Sequence, residues 1–221
     1  MRNSHVYHRT FPETIQVFER FHWQYDRWFM RNKWAYRSEI EAVKKLIPRK
    51  GLGLEVGVGT GRFSTPFGID VGLDPSRRMV SIAKKRGINV ICGVGEHLPF
   101  QEKIFDFILN VTTICFVEDP FMTLKETERV LKKGGSVIIG FVDKYSELGK
   151  LYEEKKRGSR FYKLAKFYSV DDVQRWLTRL SFTNFSIYQT IFQDLNEIES
   201  MEPVKEGYGE GGFIAFKATR S

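Results

Sequence analysis

The segment Leu52-Gly-Leu-Glu-Val-Gly-Val-Gly-Thr-Gly61 is the most chemically informative stretch of the 221-residue chain. It reads as a short apolar strand running into a loop with glycine at 57, 59 and 61. Backbone without Cβ atoms lets a ligand come close at the carboxyl end of a first strand, where open α/β sheets bind nucleotide-like molecules. The spacing argues against the commonest of these. A dinucleotide fingerprint needs its third glycine where Arg62 stands, and the acid ending the next strand, Asp74, comes too soon for the usual ~20-residue gap. A phosphate-binding P-loop needs Gly-Lys-Ser/Thr, which is missing, and Glu55 would repel a pyrophosphate. The loop instead suits a cofactor that carries positive charge.

Positioning such a loop requires a parallel sheet, and the pattern around it supplies one. Short apolar runs at Leu52–Val58, Ile69–Leu73, Ile88–Cys92, Phe105–Val111 and Ser136–Val142 read as strands. Helical patterns at about Ser76–Arg86 and Phe121–Lys132 separate some of them, the signature of a doubly wound fold. Gly134-Gly135 reads as a left-handed cap closing the second helix. Before the sheet, Phe18, Phe21, Tyr25 and Trp28, then Tyr36, Ile40, Val43 and Ile47, recur every three or four residues, so two amphipathic helices are expected over about 13–47. After it comes a basic helical segment from Lys144 to Lys166, with eight Lys/Arg against three Glu, a pattern usual for a solvated face. Ser169-Val-Asp-Asp172 then caps a helix carrying Val173, Trp176, Leu177 and Leu180. Two last apolar runs, Asn184–Phe192 and Gly212–Ala218, have no helix between them and are expected to pair antiparallel at a sheet edge.

Composition narrows the class without naming a function. At 42% hydrophobic and 28% charged residues the chain is an ordinary folded protein, which disfavours disorder, collagen-like repeats and coiled coil. No apolar run approaches the ~20 residues that span a bilayer, and Met1–Thr10 carries Arg2, His5, His8 and Arg9 with no apolar core, so a cytoplasmic protein with no membrane partner is expected. Cys92 and Cys115, flanked by apolar residues, are expected to be free, buried thiols, and no metal site is expected. A formal charge of +8 makes nucleic acid conceivable, yet no added RNA-binding module or base-flipping motif accompanies it.

The ordered set Glu55-Val-Gly-Val-Gly-Thr-Gly61, Gly72-Leu-Asp-Pro-Ser76, Gly93-Val-Gly-Glu-His-Leu-Pro-Phe100, Phe105-Asp-Phe-Ile-Leu-Asn110 with Phe116-Val-Glu-Asp-Pro120, and Val130-Leu-Lys-Lys-Gly-Gly135 resembles the motifs of class I S-adenosylmethionine-dependent methyltransferases, in the style of the ubiquinone-biosynthesis enzymes. Tyr25-Asp-Arg-Trp-Phe and Glu206-Gly-Tyr-Gly-Glu-Gly-Gly212 are similar to a small bacterial and archaeal subgroup of uncertain substrate. The resemblance implies one α/β domain over 1–221: a helical lid at about 13–47, a cofactor core at about 51–142, and C-terminal helices and edge strands beyond. Its sheet would be Rossmann-like and seven-stranded, mostly parallel with an antiparallel last strand.

It further implies S-adenosylmethionine as cofactor and S-adenosylhomocysteine as product, with Glu55, Gly57, Val58, Gly59, Thr60 and Gly61 around the methionine and ribose. Asp74 would accept from the ribose hydroxyls, Pro75 and Met79 would flank the adenine, and Gly95 and Glu96 would read its edge. Val94 stands where relatives often place an aspartate. Asn110, Val111 and Thr113, leaving the fourth strand, would lie beside the sulfonium. Tyr25, Trp28, Tyr36 and Tyr208 either shape the acceptor pocket or simply pack their own segments. His97, Glu118, Asp119 or a tyrosine would serve if the acceptor needs a base, and no one of them stands out. The acceptor itself is expected to be a small molecule, with RNA as the alternative acceptor and a catalytically silent cofactor-binding protein as the alternative from another class.

Overall fold

A computed structural model describes residues 12–221; the charged opening segment Met1–Thr10 lies outside them. Eight strands form one sheet: β1 (Gly53–Val56), β2 (Val71–Asp74), β3 (Asn89–Cys92), β4 (Phe105–Val111), β5 (Leu131–Val142), β6 (Phe182–Thr190), β7 (Lys205–Glu206) and β8 (Phe213–Arg220). Their order is β3-β2-β1-β4-β5-β8-β6-β7. The first five run parallel, while β8 slots antiparallel between β5 and β6. The antiparallel partnership of the last two apolar runs is as expected. The eighth strand, two residues long at the edge of β6, is an addition to the seven, and Lys205-Glu206 lacks the apolar alternation that would announce it.

The strands hold because both faces are covered. Along β4, Phe107, Leu109 and Val111 enter one core, while Ile108 enters the other. Each such fully buried side chain contributes roughly 1.5 to 3 kcal/mol. The helices are α1 (Glu13–Arg31), α2 (Lys33–Lys44), α3 (Ser64–Phe67), α4 (Arg77–Lys85), α5 (Pro120–Val130), α6 (Glu147–Glu154) and α7 (Val170–Arg179). Ala42 and Val43 of α2 pack on the Phe107 face; Leu124 of α5 and Val173 and Leu177 of α7 pack on the other. Ser169 and Asp172 form the expected capping box, each side chain bonding the other's backbone N–H.

Two local expectations are corrected. Gly134-Gly135 does not cap α5, which ends at Val130 and passes straight into β5. The pair lies in an irregularity where the register jumps from Phe105–Leu131 to Phe107–Ser136, and a Cβ on Gly135 would stand 2.9 Å from the Asp106 carbonyl oxygen. Extra residues in one strand are a β-bulge, and close backbone approach is what excludes a side chain there. The basic segment is helical only to Glu154; beyond it run two short 3-10 turns, 155–158 and 162–164, forming a strap that reaches back to α1.

Candidate functional site

The carboxyl ends of β1, β2 and β3 open into a cleft of about 490 Å³ whose far wall is α1. Gly57 and Gly59, both at positive φ (75° and 52°), turn the chain out of β1. A Cβ on Gly57 would fall 2.1 Å from Thr113 Oγ1, so the space beside this glycine belongs to Thr113. At Gly59 the neighbour is Tyr25, whose ring edge would be 3.4 Å from an added Cβ. The Tyr25 ring therefore lies directly over the loop.

Asp74 ends β2 and is buried. Its Oδ2 accepts from Gly59 N–H (2.9 Å) and its Oδ1 from Ser76 N–H (2.9 Å). Each oxygen has acceptor capacity beyond that one bond, Asp74 lines the cleft, and burial pushes the carboxyl up to about 6 despite those two bonds. Glu55, the other acid of the loop, faces away. Its carboxylate takes a hydrogen bond from Ser64, and burial raises it to about 8.

Pro75, Met79, Val94, Gly95, Glu96 and His97 continue the wall beyond Asp74, and Thr112, Thr113, Phe116 and Glu118 form the opposite side. Thr112 sits at φ 50°, an outlier for a β-branched residue. Strain of this kind collects at functional sites. Glu96 Oε1 accepts from the Glu118 and Asp119 N–H groups, which ties the third-strand loop to the fourth. Asp119 caps α5 through Met122 N–H.

Of the residues flagged by sequence, the cleft gathers Gly57, Gly59, Asp74, Pro75, Met79, Gly95, Glu96, His97, Thr113, Glu118 and Tyr25. Val58, Thr60, Gly61, Asn110 and Val111 sit one layer behind, and the Asn110 amide has no hydrogen-bond partner among the described residues. Trp28 and Tyr36 pack around Phe29 and Phe63, with the Tyr36 phenol donating to the Arg62 carbonyl. Tyr208 lines a separate small hollow with Asp143, Ser146 and Asp171. Cys92 is exposed and lines the cleft, because β3 is the sheet's outer strand, and Cys115 is half-buried with its thiol pushed up to about 12 by its surroundings. Both thiols are free, but neither is fully buried as expected.

Sequence reading missed what fastens α1. Asp26 accepts from Arg62 (2.7 and 2.9 Å), from Arg86 (3.0 and 3.1 Å) and from Thr60 Oγ1 (2.7 Å). Burial alone would raise its pKa, but the bonds from Arg62, Thr60 and Arg86 hold it at about 2. About two turns earlier, Glu19 accepts from Ser76 Oγ and Arg78 N–H at the start of α4. The signal in the sequence was Arg62 itself: the residue that breaks the dinucleotide pattern is the one that clamps α1.

A model of the methyltransferase domain family matches residues 54–139, from β1 through β5. An uncharacterised protein of Methanocaldococcus jannaschii is 51% identical over 206 residues, covering 93% of this chain and 100% of its own. The crystal structure of a Thermotoga maritima protein, described as a SAM-dependent methyltransferase and possible histamine N-methyltransferase, superposes with a TM-score of 0.92 at 48% identity, over 94% of this chain and 100% of that one. The demethylmenaquinone methyltransferase of T. maritima is 30% identical over 143 residues, 59% of this chain and 62% of its own. The chain belongs to the class I S-adenosylmethionine-dependent methyltransferases. Its cofactor is S-adenosylmethionine, and no helix among the described residues is long and apolar enough to cross a membrane.

Proposed function

We propose that the chain transfers the methyl group of S-adenosylmethionine to a small-molecule acceptor by in-line displacement in the cleft between the Gly57–Gly61 loop and α1. The observation that carries this reading is the chemistry of the cleft. Asp74 offers buried lone pairs suited to a ribose diol, Pro75 and Met79 offer apolar faces to an adenine, and the turn at Gly57 and Gly59 leaves backbone, not side chains, against the methionine part. The bound cofactor supplies a methyl group on an already activated sulfonium leaving group. Residues of the chain are then left to align the acceptor and exclude water, the task of the α1 wall with Ile15, Phe18 and Tyr25. On this reading α1 serves as a lid, although α2 packs on the sheet.

Charge favours a small acceptor over RNA. The chain carries 35 Lys and Arg, yet among the described residues none lines the cleft, whereas Asp74, Glu96 and Glu118 do. A polyanion needs cations near the site of reaction.

Thermal shift tests the cofactor reading. S-adenosylhomocysteine at 100 times its dissociation constant should add about 2.7 kcal/mol of stability, and NAD none. Stabilisation by NAD alone would overturn it. Transfer of label from methyl-labelled cofactor into a metabolite fraction, and not into RNA, tests the acceptor class.

A further inference from the structure

Six cations on and beside α1 have no carboxylate partner among the described residues: Arg20, Arg27, Arg31, Lys33, Arg37 and Arg160. The acids of α1 are engaged elsewhere. Glu19 and Asp26 bond to α4 and the glycine loop, and Glu13 pairs with Lys163. Five of the six cations lie over aromatic rings instead: Arg20 and Arg160 over Phe21 (5.2 and 4.1 Å), Arg27 over Trp23 (5.6 Å), and Lys33 and Arg37 over Trp34 (4.8 and 4.9 Å). Arg160 also donates to Gln24. A ring neutralises no charge, so these cations keep N–H donors for an anion from outside.

These residues form one outer face. Beyond the kink at Phe21, Trp23, Arg27, Met30 and Arg31 stand at i, i+4, i+7 and i+8, on the side of α1 opposite Tyr25 and Phe29, which pack into the core. The break at Asn32 does not turn the row. Asn32 N–H bonds the Trp28 carbonyl (2.9 Å), Tyr36 N–H bonds the Asn32 carbonyl (3.0 Å), and on the inner face the rings of Phe29 and Tyr36, seven residues apart, meet at 5.0 Å. Trp34 and Arg37 therefore continue the row, which at the rise of an α-helix runs roughly 20 Å from Trp23. Between the cations project Trp23 and Met30, 49% and 61% exposed. Two large apolar side chains two turns apart, framed by positive charge, suit a partner that is anionic at its surface and apolar beneath.

We propose that this face docks on an anionic lipid surface, with α1 in the plane of the headgroups, Trp23 and Met30 at the acyl boundary and the six cations on the phosphates. The proposal does not depend on the acceptor. It departs from the expectation of no membrane partner, which rests on spanning segments and does not bear on adsorption to a surface. Charge complementarity selects the occupant. A second copy would set six cations against six, which repels. A single-stranded nucleic acid stacks its bases on bare rings, whereas Phe21, Trp23 and Trp34 already carry cations of their own and Met30 has no ring to offer. A lipid surface uses every feature of the row: phosphates for the guanidinium groups, an interface for the indole and apolar depth for the thioether. The same helix turns Tyr25 into the cleft, so the docked surface lies behind the cleft wall.

The test uses the full chain and vesicles of phosphatidylcholine, with and without one quarter phosphatidylglycerol. The chain should sediment with the anionic vesicles at low salt and not with phosphatidylcholine alone, and high salt should release it. Tryptophan fluorescence should shift to the blue on binding, and Trp23→Ala should remove most of that shift at an unchanged melting temperature. Arg27→Gln combined with Arg31→Gln should weaken binding at least tenfold. Lys125→Gln combined with Lys133→Gln, an equal loss of exposed charge in α5 and β5, should weaken it less than twofold. The proposal is overturned if the chain stays in the supernatant with anionic vesicles, if the two pairs of substitutions weaken binding equally, which would reduce the effect to net charge, or if the blue shift survives undiminished in Trp23→Ala. Binding of a single-stranded oligouridylate that the Arg27 and Arg31 substitutions weaken, without vesicle binding, would assign the face to nucleic acid and overturn it as well.

Discussion

The two walls of the cleft are built on different principles. On the sheet side, Gly57, Gly59, Asp74 and Ser76 are bound through backbone N–H groups of neighbouring strand ends: Gly57 and Val58 N–H groups donate to the Leu73 carbonyl, and Asp74 bonds to residues two and fifteen positions away. On the helix side, α1 is held by side chains that meet from far along the chain. Asp26 reaches 36 residues to Arg62 and 60 to Arg86, Glu19 reaches 57 to Ser76, and Gln24 meets Arg160 at a separation of 136. The first wall is pre-formed by the strand ends, and the second is fastened on by a handful of charged bonds. On the proposed reading, a rigid floor for the cofactor with a separately anchored wall would let one scaffold keep its cofactor while the acceptor side varies.

The largest expected effect breaks the rigid wall. Gly57→Ala asks for a side chain at φ 75° and at 2.1 Å from Thr113 Oγ1. Left-handed backbone costs ~1–2 kcal/mol and overpacking a similar amount, so urea denaturation should show a loss of about 3 kcal/mol, with cofactor binding lost as well. Adding Thr113→Ala should restore only part of the packing loss, because its Cβ would still stand 2.7 Å from the new one, and should leave the backbone part. A loss below about 1 kcal/mol in the single variant would mean that the loop yields to a side chain and the sheet wall is not rigid.

Next in size is the anchor of the second wall. Asp26→Ala leaves Arg62, Arg86 and Thr60 without their shared acceptor, and bonds to charged groups are worth ~1.5–3 kcal/mol, so about 2 kcal/mol of stability should go. The pH dependence follows from the depressed pKa. Since the folded value lies near 2 and the unfolded value near 3.8, this stabilisation is complete above about pH 4 and is lost as pH falls toward 2. Acid unfolding of Asp26→Ala should therefore be flatter than that of wild type over that range. Equal slopes would detach Asp26 from the anchoring role.

The same division governs what the sequence made legible. Strands β1 to β5, helices α4 and α5 and the turn at Gly57 and Gly59 follow from apolar runs and glycine spacing, which act within a few residues, whereas α3 carries no such pattern and Asp74 and Met79 are singled out by the motif resemblance. Asp26 and Glu19 carry no such mark. Each sits in an amphipathic helix where an acid is unremarkable, and its role depends on which distant arginine or helix start the fold brings beside it. Tyr36 shows the converse: its spacing fits a site-facing aromatic, yet its phenol is taken by the Arg62 carbonyl. The strap from Lys155 to Leu164 read as a solvated helix because charge pattern does not report that Phe161 and Tyr162 fold back onto α1 and α6.

A smaller effect sharpens the assignment of the sheet wall. Asp74→Asn should lower S-adenosylhomocysteine affinity by one to two decades, the worth of a hydrogen bond to a charged group. Burial holds the wild-type carboxyl at about 6 in the ligand-free protein, and hydroxyl donors bond best to the ionised form. Wild-type affinity should therefore rise between pH 5 and 7, while that of Asp74→Asn stays level. The ligand-free protein should show the opposite trend in stability from this group: a raised folded pKa means that the unfolded chain binds fewer protons, so stability falls as pH rises from about 3.8 to 6. Calorimetry across that range separates the two.

The smallest expected effect concerns Tyr208, which the glycine-flanked segment Glu206–Gly212 places among the candidates for the acceptor site. In the structure it is about half exposed, lines the hollow beside Ser146 and Ser169, and touches Asp171 at 3.5 Å, the outer limit of a hydrogen bond. Its neighbours Gly207 and Gly209 stand at positive φ with open space where a Cβ would be, so they serve a turn rather than a close approach. Tyr208→Phe removes only the weak, solvent-facing contact. The expected change is within 0.5 kcal/mol in stability, as for ordinary surface substitutions, with S-adenosylhomocysteine affinity untouched. A tenfold loss of that affinity would show that this loop closes over the cleft, and the second wall would then include two elements, α1 and the Glu206–Gly212 turn, rather than one.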